Sequence, residues 1–158
     1  MKSRPARKTA AISQLLLDQQ LCFALYSANL AMHKVYRPLL KALELTYPQY
    51  LVMLVLWEQE DQTVSAIGER LYLDSATLTP LLKRLEAAGL VTRSRAAADE
   101  RQVLVALTTA GRQLRHKAQQ IPPAVLCAAD CSLGELKSIK QELETLRDKL
   151  VRAGDPEE

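Results

Sequence analysis

Apolar residues recur at three- and four-residue steps over positions 13–37, with Leu17, Leu21, Ala24, Leu25, Ala28 and Ala31 on one face. That spacing predicts an amphipathic helix, and Cys22 falls inside it. Pro38 removes a backbone donor, so a separate short helix is expected over 38–43. Thr46 and Pro48 form a start signal ahead of 49–59, a run so apolar that it reads as the central helix. Asp61-Gln62 reads as a turn. Ser65 is expected to cap a helix over 66–71, and Asp74 or Ser75 a second one that stops at Gly89. Pro80 inside that second helix predicts either a kink or a regular start near Thr79. Residues 90–93 and 102–107 read as strands on either side of a polar, charged stretch, which makes a β-hairpin with a long tip. Thr108 or Thr109 should cap a helix to about residue 120, and Ile121-Pro122-Pro123 should break it. A short helical piece then carries Cys127. Ser132 should cap a last helix with Leu133, Leu136, Ile139, Leu143, Leu146 and Leu150 on one face.

Composition refines this picture. Nearly half of the 158 residues are apolar, but only one Phe and one Trp are present, so aliphatic side chains must fill the core. Five glycines in the whole chain favour helix. The fold class expected is mainly α with a small β-hairpin. Lys plus Arg exceed Asp plus Glu by 3, which permits a nucleic-acid partner without demanding one. No apolar run approaches the ~18–20 residues of a membrane span. The basic start (Lys2, Arg4, Arg7, Lys8) is followed by Gln14, Asp18, Gln19 and Gln20, which interrupt any signal-peptide core. A cytoplasmic protein without membrane association is expected. There Cys22, Cys127 and Cys131 would be reduced at rest, and their odd number argues against a structural disulfide framework. They read either as packing thiols or as reactive ones.

The order helix, turn, helix, strand, basic tip, strand is that of a winged helix-turn-helix, whose second helix enters the major groove of DNA. Ser75, Thr77, Thr79, Lys83 and Arg84 would be exposed on that helix, with Leu78, Leu81, Leu82 and Leu85 turned inward. Hydroxyls suit base edges or phosphates and cations suit phosphates. Arg93, Arg95 and Arg101 sit on the hairpin and could reach phosphates or a narrow minor groove. Any one of these cations alone reads equally well as solvated surface. Their ordered placement is what argues for DNA.

Asp99-Glu100-Arg101 followed by Val105, Leu107 and Thr108 reproduces the wing pattern D-x-R-x-x-x-V-x-L-T, and 81–86 with Gly89-Leu90-Val91 matches the recognition helix and its exit. In these residues the chain resembles the MarR family of bacterial regulators. The resemblance implies a homodimer built from the terminal helices that reads a palindromic site in double-stranded operator DNA. It also implies wing-orienting roles for Asp74, Asp99 and Arg101, with an Asp74–Arg101 ion pair. The segments are then a basic disordered arm (1–11), dimerisation and sensing helices (12–45), the winged helix-turn-helix (46–110), C-terminal dimerisation helices (111–153) and a frayed tail (154–158). An apolar stripe on a terminal helix needs a cover on physical grounds alone.

Cys22 in the first helix, Tyr26 one turn on, Tyr36, Tyr47, and the string 73–80 (LDSATLTP) resemble the OhrR-type repressors that sense organic hydroperoxides. Ala76 stands where that group commonly has Gly. A thiolate attacks peroxide, and phenols can donate hydrogen bonds to its sulfur without adding charge. The resemblance implies that Tyr36 and Tyr47 reach Cys22 across the subunit boundary. It further implies that the sulfenic acid formed on Cys22 closes an intersubunit disulfide with Cys127, with Cys131 as substitute. Leu25, Leu51, Val52 and Met53 are candidates for the apolar lining. If 124–131 is helical, Cys127 and Cys131 share a face.

Three other readings remain at this stage. They are a MarR-type repressor released by a small aromatic ligand, a thiol peroxidase, and a purely structural helical dimer. No cofactor or metal is expected: His33 and His116 are far apart, Cys127 and Cys131 lack nearby partner ligands, and no Gly-rich phosphate loop is present.

Overall fold

The computed structural model describes residues 15–154, so the expected basic arm, Ser13 and the residues beyond 154 lie outside it. A 3-10 turn at Leu17–Gln19 precedes α1 (Leu21–Lys41). Then come α2 (Tyr47–Glu58), β1 (Gln62–Thr63), α3 (Val64–Leu71), α4 (Ser75–Ala87), β2 (Val91–Arg95), β3 (Val103–Leu107), α5 (Thr109–Ala118), α6 (Ile121–Ala129) and α7 (Leu133–Gly154). The fold class is as expected, mainly helical with a small sheet.

Local chemistry explains most boundaries. Thr46 and Gln49 form a reciprocal capping box on α2: the Gln49 amide donates to Thr46 Oγ1 at 3.4 Å, and the Thr46 amide to Gln49 Oε1 at 2.9 Å. Thr63, not Ser65, caps α3, because its hydroxyl accepts from the Ala66 amide at 3.1 Å. Asp74 caps α4 by accepting from the Thr77 amide at 2.7 Å. Ser132 and Glu135 bond reciprocally at the start of α7.

The expected break at Pro38 and the expected late start of the second helix near Thr79 both need correction. α1 runs through Pro38 without a break, and α4 is helical from Ser75 through Pro80. Each proline deletes one bond, to the carbonyls of Lys34 and Ala76, and those positions are exposed, so water can serve them. Val35, Tyr36, Leu39 and Leu40 pack on the core around Pro38 and hold the chain helical there. The first helix also starts at Leu21, later than the periodicity implied. Gln62, expected in a turn, pairs instead with Val105 and adds a third antiparallel strand, in the order β1-β3-β2. β2 and β3 pair from Val91↔Leu107 to Arg95↔Val103. Ile121-Pro122-Pro123 opens α6 directly, prolines being tolerated in a first turn. Gly154, expected in a frayed tail, closes α7.

The core gathers around α2, as its composition predicts. Val52, Met53, Leu56, Ile67, Leu78, Leu82, Leu85, Val91 and Val105 are fully buried. Burying each such side chain contributes about 1.5–3 kcal/mol. α7 differs: none of its residues is buried, and Leu133, Ile139, Leu143 and Leu150 are exposed.

The junction of α4, wing and α5 is unusually close. The Thr108 hydroxyl donates to the Gly89 carbonyl at 2.6 Å and accepts from the Gly111 amide at 3.0 Å. Trp57 Nε1 donates to the Gly111 carbonyl at 2.9 Å. A Cβ on Gly111 would lie 2.1 Å from the Leu90 carbonyl oxygen, so α5 would have to move. On Gly134 a Cβ would meet nothing nearer than Ser132 Oγ at 4.0 Å. Gly111→Ala is therefore expected to destabilise by about 2–3 kcal/mol, a fall of roughly 5–10 °C in melting temperature. Gly134→Ala, a helical glycine with room, is expected to be neutral or stabilising. Calorimetry of the two variants checks the contrast.

Candidate functional site

The exposed face of α4 carries Ser75, Thr77, Lys83 and Arg84, while Leu78, Leu82 and Leu85 face the core and Leu81 is half-buried. Thr79 is half-buried, and its hydroxyl donates back to the Ser75 carbonyl at 2.7 Å. Lys83, Arg84 and Arg95 make no ion pair among the described residues. Arg101 has a side chain 96% exposed, 3.8 Å from Asp99 Oδ1. The Arg101 amide also donates to that carboxylate at 3.0 Å, which shapes the wing tip.

One expected ion pair is absent, and one of the expected DNA-binding cations is already paired. Asp74 does not pair with Arg101. Its carboxylate is committed to the Thr77 amide, and those hydrogen bonds hold its pKa below the ordinary value. Nor is Arg93 a free cation. Its Nη2 and Nε donate to Glu86 Oε2 at 2.7 and 3.0 Å, and its amide to Glu86 Oε1 at 3.1 Å. Thus Glu86, a residue the sequence reading passed over, fastens β2 to α4 and sets the pose of the wing. An acidic residue at the end of a basic face, seven positions before an arginine in the next strand, was the available signal.

The thiols and phenols lie on other elements. Cys22 is exposed on the first turn of α1, and Tyr26, one turn on, is 60% exposed. Tyr36, on the last part of α1, meets Tyr47 at the start of α2 with ring centroids 5.1 Å apart, edge to face. Tyr50 lies 5.9 Å from Tyr36, and His33 4.5 Å from Tyr47. Burial, then the neighbouring Tyr47 and Tyr50, pushes Tyr36 up to about 12, and burial raises Tyr47 as well. Both are therefore intact phenol donors at neutral pH. Fourteen residues of helix separate Cys22 from Tyr36, about 21 Å along the axis. A single chain does not bring the thiol and the phenols together.

Cys127 is exposed on α6, which packs against α1. Cys131 does not share its face as expected. The helix ends at Ala129, Asp130 turns left-handed at φ 49°, and the Cys131 thiol bonds to the Ala129 carbonyl at 3.2 Å. Among the expected lining residues, Val52 and Met53 are sealed in the core, whereas Leu25 and Leu51 are half-buried and accessible. α1 also exposes Leu21, Leu30 and Met32, an apolar surface that no described residue covers. At the other end of the chain, the Arg147 guanidinium of α7 sits 5.0 Å above the Tyr72 ring, in the turn that leads into α4.

Glu86 gives a pH test. Its pKa is held below the ordinary 4.5, chiefly by hydrogen bonds from Arg93. A lowered carboxylate stabilises fully above its unfolded pKa and loses that contribution as pH falls through the folded one. Glu86→Gln is expected to melt below the parent by a constant margin between pH 6 and 8. The margin should shrink as pH falls below about 4.5, and melting curves across pH 3–8 measure it.

The description Transcriptional regulator SarA/Rot fits residues 34–118. The organic hydroperoxide resistance transcriptional regulator of Bacillus subtilis (strain 168) is 52% identical over 134 residues, covering 85% of this chain and 91% of that one. Reduced AbfR bound to DNA, AbfR being a protein of Staphylococcus epidermidis, matches with TM-score 0.71 and 38% identity over 89% of this chain and 99% of that one. Disulfide-formed AbfR matches with TM-score 0.60 and 37% identity over 88% and 98%. With a wing, a capped recognition helix and these relatives, the chain belongs to the MarR-type winged-helix transcriptional regulators, on the OhrR-type branch, and is not an enzyme.

Proposed function

We propose that this protein is a homodimeric repressor that holds a palindromic operator while reduced and releases it when an organic hydroperoxide oxidises Cys22. The observation that carries this is the separation of the exposed thiol from the phenol pair along one helix. A two-fold contact that crosses α1 near Asn29, midway between Cys22 and Tyr36, would lay each thiol against the phenols of the partner subunit. Uncovered Leu21, Leu30 and Met32 on α1, and the stripe on α7, supply the apolar surface for such an isologous contact.

The chemistry balances without a cofactor. The Cys22 thiolate attacks the hydroperoxide, the O–O bond breaks, and with one proton the products are the sulfenic acid and an alcohol. The Cys127 thiol of the partner subunit then displaces water to form the disulfide. A disulfide needs Cα atoms within about 7 Å, so closing it draws α6 of one copy to α1 of the other. α7 follows α6 directly, and its Arg147 rests on Tyr72 beside the recognition helix. Two lobes must match half-sites about 34–36 Å apart, so a small displacement of either costs specific binding. This chain fits reduced and overoxidised DNA-bound AbfR equally well and disulfide-formed AbfR less well, which accords with a shape change on disulfide closure and not on oxidation of the thiol alone.

In the duplex, Ser75 and Thr77 face base edges, and Lys83, Arg84, Arg95 and Arg101 serve phosphates or the minor groove. Thr79 and Arg93 support the helix and wing from behind. Lys83→Ala or Arg95→Ala is expected to lower the salt slope of operator binding by about one each. The pair Glu86→Gln with Arg93→Gln should weaken binding and leave that slope unchanged, because no phosphate contact is lost. Fluorescence anisotropy from low to moderate salt reads both.

Cys22→Ser is expected to bind operator like the parent when reduced and to stay bound after cumene hydroperoxide. Release equal to the parent's would refute the sensor assignment. A second reading, release by a small amphipathic ligand, has one supporting feature. An open groove of about 560 Å³ between α2 and α5 is lined by Tyr50, Leu54, Trp57, Leu71, Arg115 and Pro122. On that reading Cys22→Ser would still respond to the ligand.

A further inference from the structure

The proposed thiol chemistry depends on where two phenol hydroxyls point, and Tyr47 has the weaker local support of the two. It is the first residue of α2, so no earlier turn of its own helix lies beneath the ring. The ring is gripped from α1 instead. His33 lies against it with ring centroids 4.5 Å apart and the planes tilted by 42°, and Tyr36 meets it at 5.1 Å and 69°. His33 and Tyr36 are three residues apart and share a helix face. Neither grip uses the Tyr47 hydroxyl, which makes no hydrogen bond among the described residues and is free to donate. The aromatic row continues through Tyr50 to Trp57, with centroids 5.9 and 6.4 Å apart, and Trp57 is anchored to Gly111. One side of the clamp is therefore tied to the core, and His33 closes the other.

We propose that His33 is a positioning residue for the thiol chemistry: its flat ring fixes the Tyr47 ring so that the phenol is presented to Cys22 of the partner subunit. This rests on the redox reading above. His33 touches neither sulfur nor peroxide in this role and acts only through Tyr47. What the site requires of it is a planar ring at contact distance. Phe meets that requirement; Leu fills the volume without a plane, and Ala leaves the ring free to change rotamer.

The test uses the full-length protein and follows loss of the Cys22 thiol under excess cumene hydroperoxide, by rapid quench with an alkylating agent and mass spectrometry. Operator affinity under reducing conditions is measured alongside. His33→Ala is expected to react about tenfold more slowly while binding reduced operator within about twofold of the parent. His33→Leu should be slow as well, and His33→Phe should restore the parent rate. In a Tyr47→Phe background, His33→Ala should slow the reaction no further. The proposal is overturned if His33→Ala and His33→Leu react at the parent rate, if His33→Phe is as slow as they are, or if the losses from His33→Ala and Tyr47→Phe simply add. If His33→Ala does not fold, His33→Leu and His33→Phe decide the matter between them. A parent protein whose Cys22 does not react at all would instead remove the redox reading on which the proposal stands.

Discussion

A straight helix holds residues fourteen positions apart at a fixed distance, and no side-chain motion closes a gap of about 21 Å. In α1 that rigidity keeps Cys22 at one end and Tyr36 at the other. Any pocket that holds both side chains must therefore be assembled from two chains. The remaining features follow from that constraint. α1 carries apolar residues that no described residue of its own chain covers, α7 has no buried residue, and Cys127 stands exposed on a helix packed against α1. On the proposed reading, sensing and dimerisation use the same surfaces, so chemistry at the thiol would act directly on the geometry of the pair.

The reading head has the opposite character. α4 is fixed from every side: an aspartate cap at its start, three leucines in the core, and Glu86 clasping Arg93 at its exit. Gly111 and Thr108 press the end of the hairpin against the Gly89-Leu90 turn without slack. Such a lobe moves as a body. A switch that shifts whole lobes needs this stiffness, because half-site spacing is lost only if displacement at the dimer interface reaches the recognition helix undamped. The Arg147–Tyr72 contact gives α7 a hold on the turn that enters that helix.

Much of this was legible in the chain. Caps at Thr46, Asp74, Thr108 and Ser132, the glycine stop at Gly89 and the alternation of the hairpin placed most elements within a few residues. The prolines misled because exposed helix positions tolerate a lost hydrogen bond when packing on the other face holds the backbone. The β1 strand escaped because two residues carry no periodicity. At the site, residue types were readable but pairings were not. The clasp between Arg93 and Glu86 carried no motif, and Asp74 looked like a partner for Arg101 until its carboxylate proved spent on a cap. His33 carried no motif at all; only its ring contact with Tyr47 marks it.

The claim that the site is shared between chains has a direct measurement. Subunits grown in ordinary and heavy nitrogen are mixed, allowed to exchange, treated with stoichiometric organic hydroperoxide and digested, and the disulfide peptides are weighed. Peptides joining Cys22 to Cys127 should pair light with heavy in the share that random pairing dictates. Finding those peptides only light with light and heavy with heavy, or finding no bond between these two cysteines, would contradict the account.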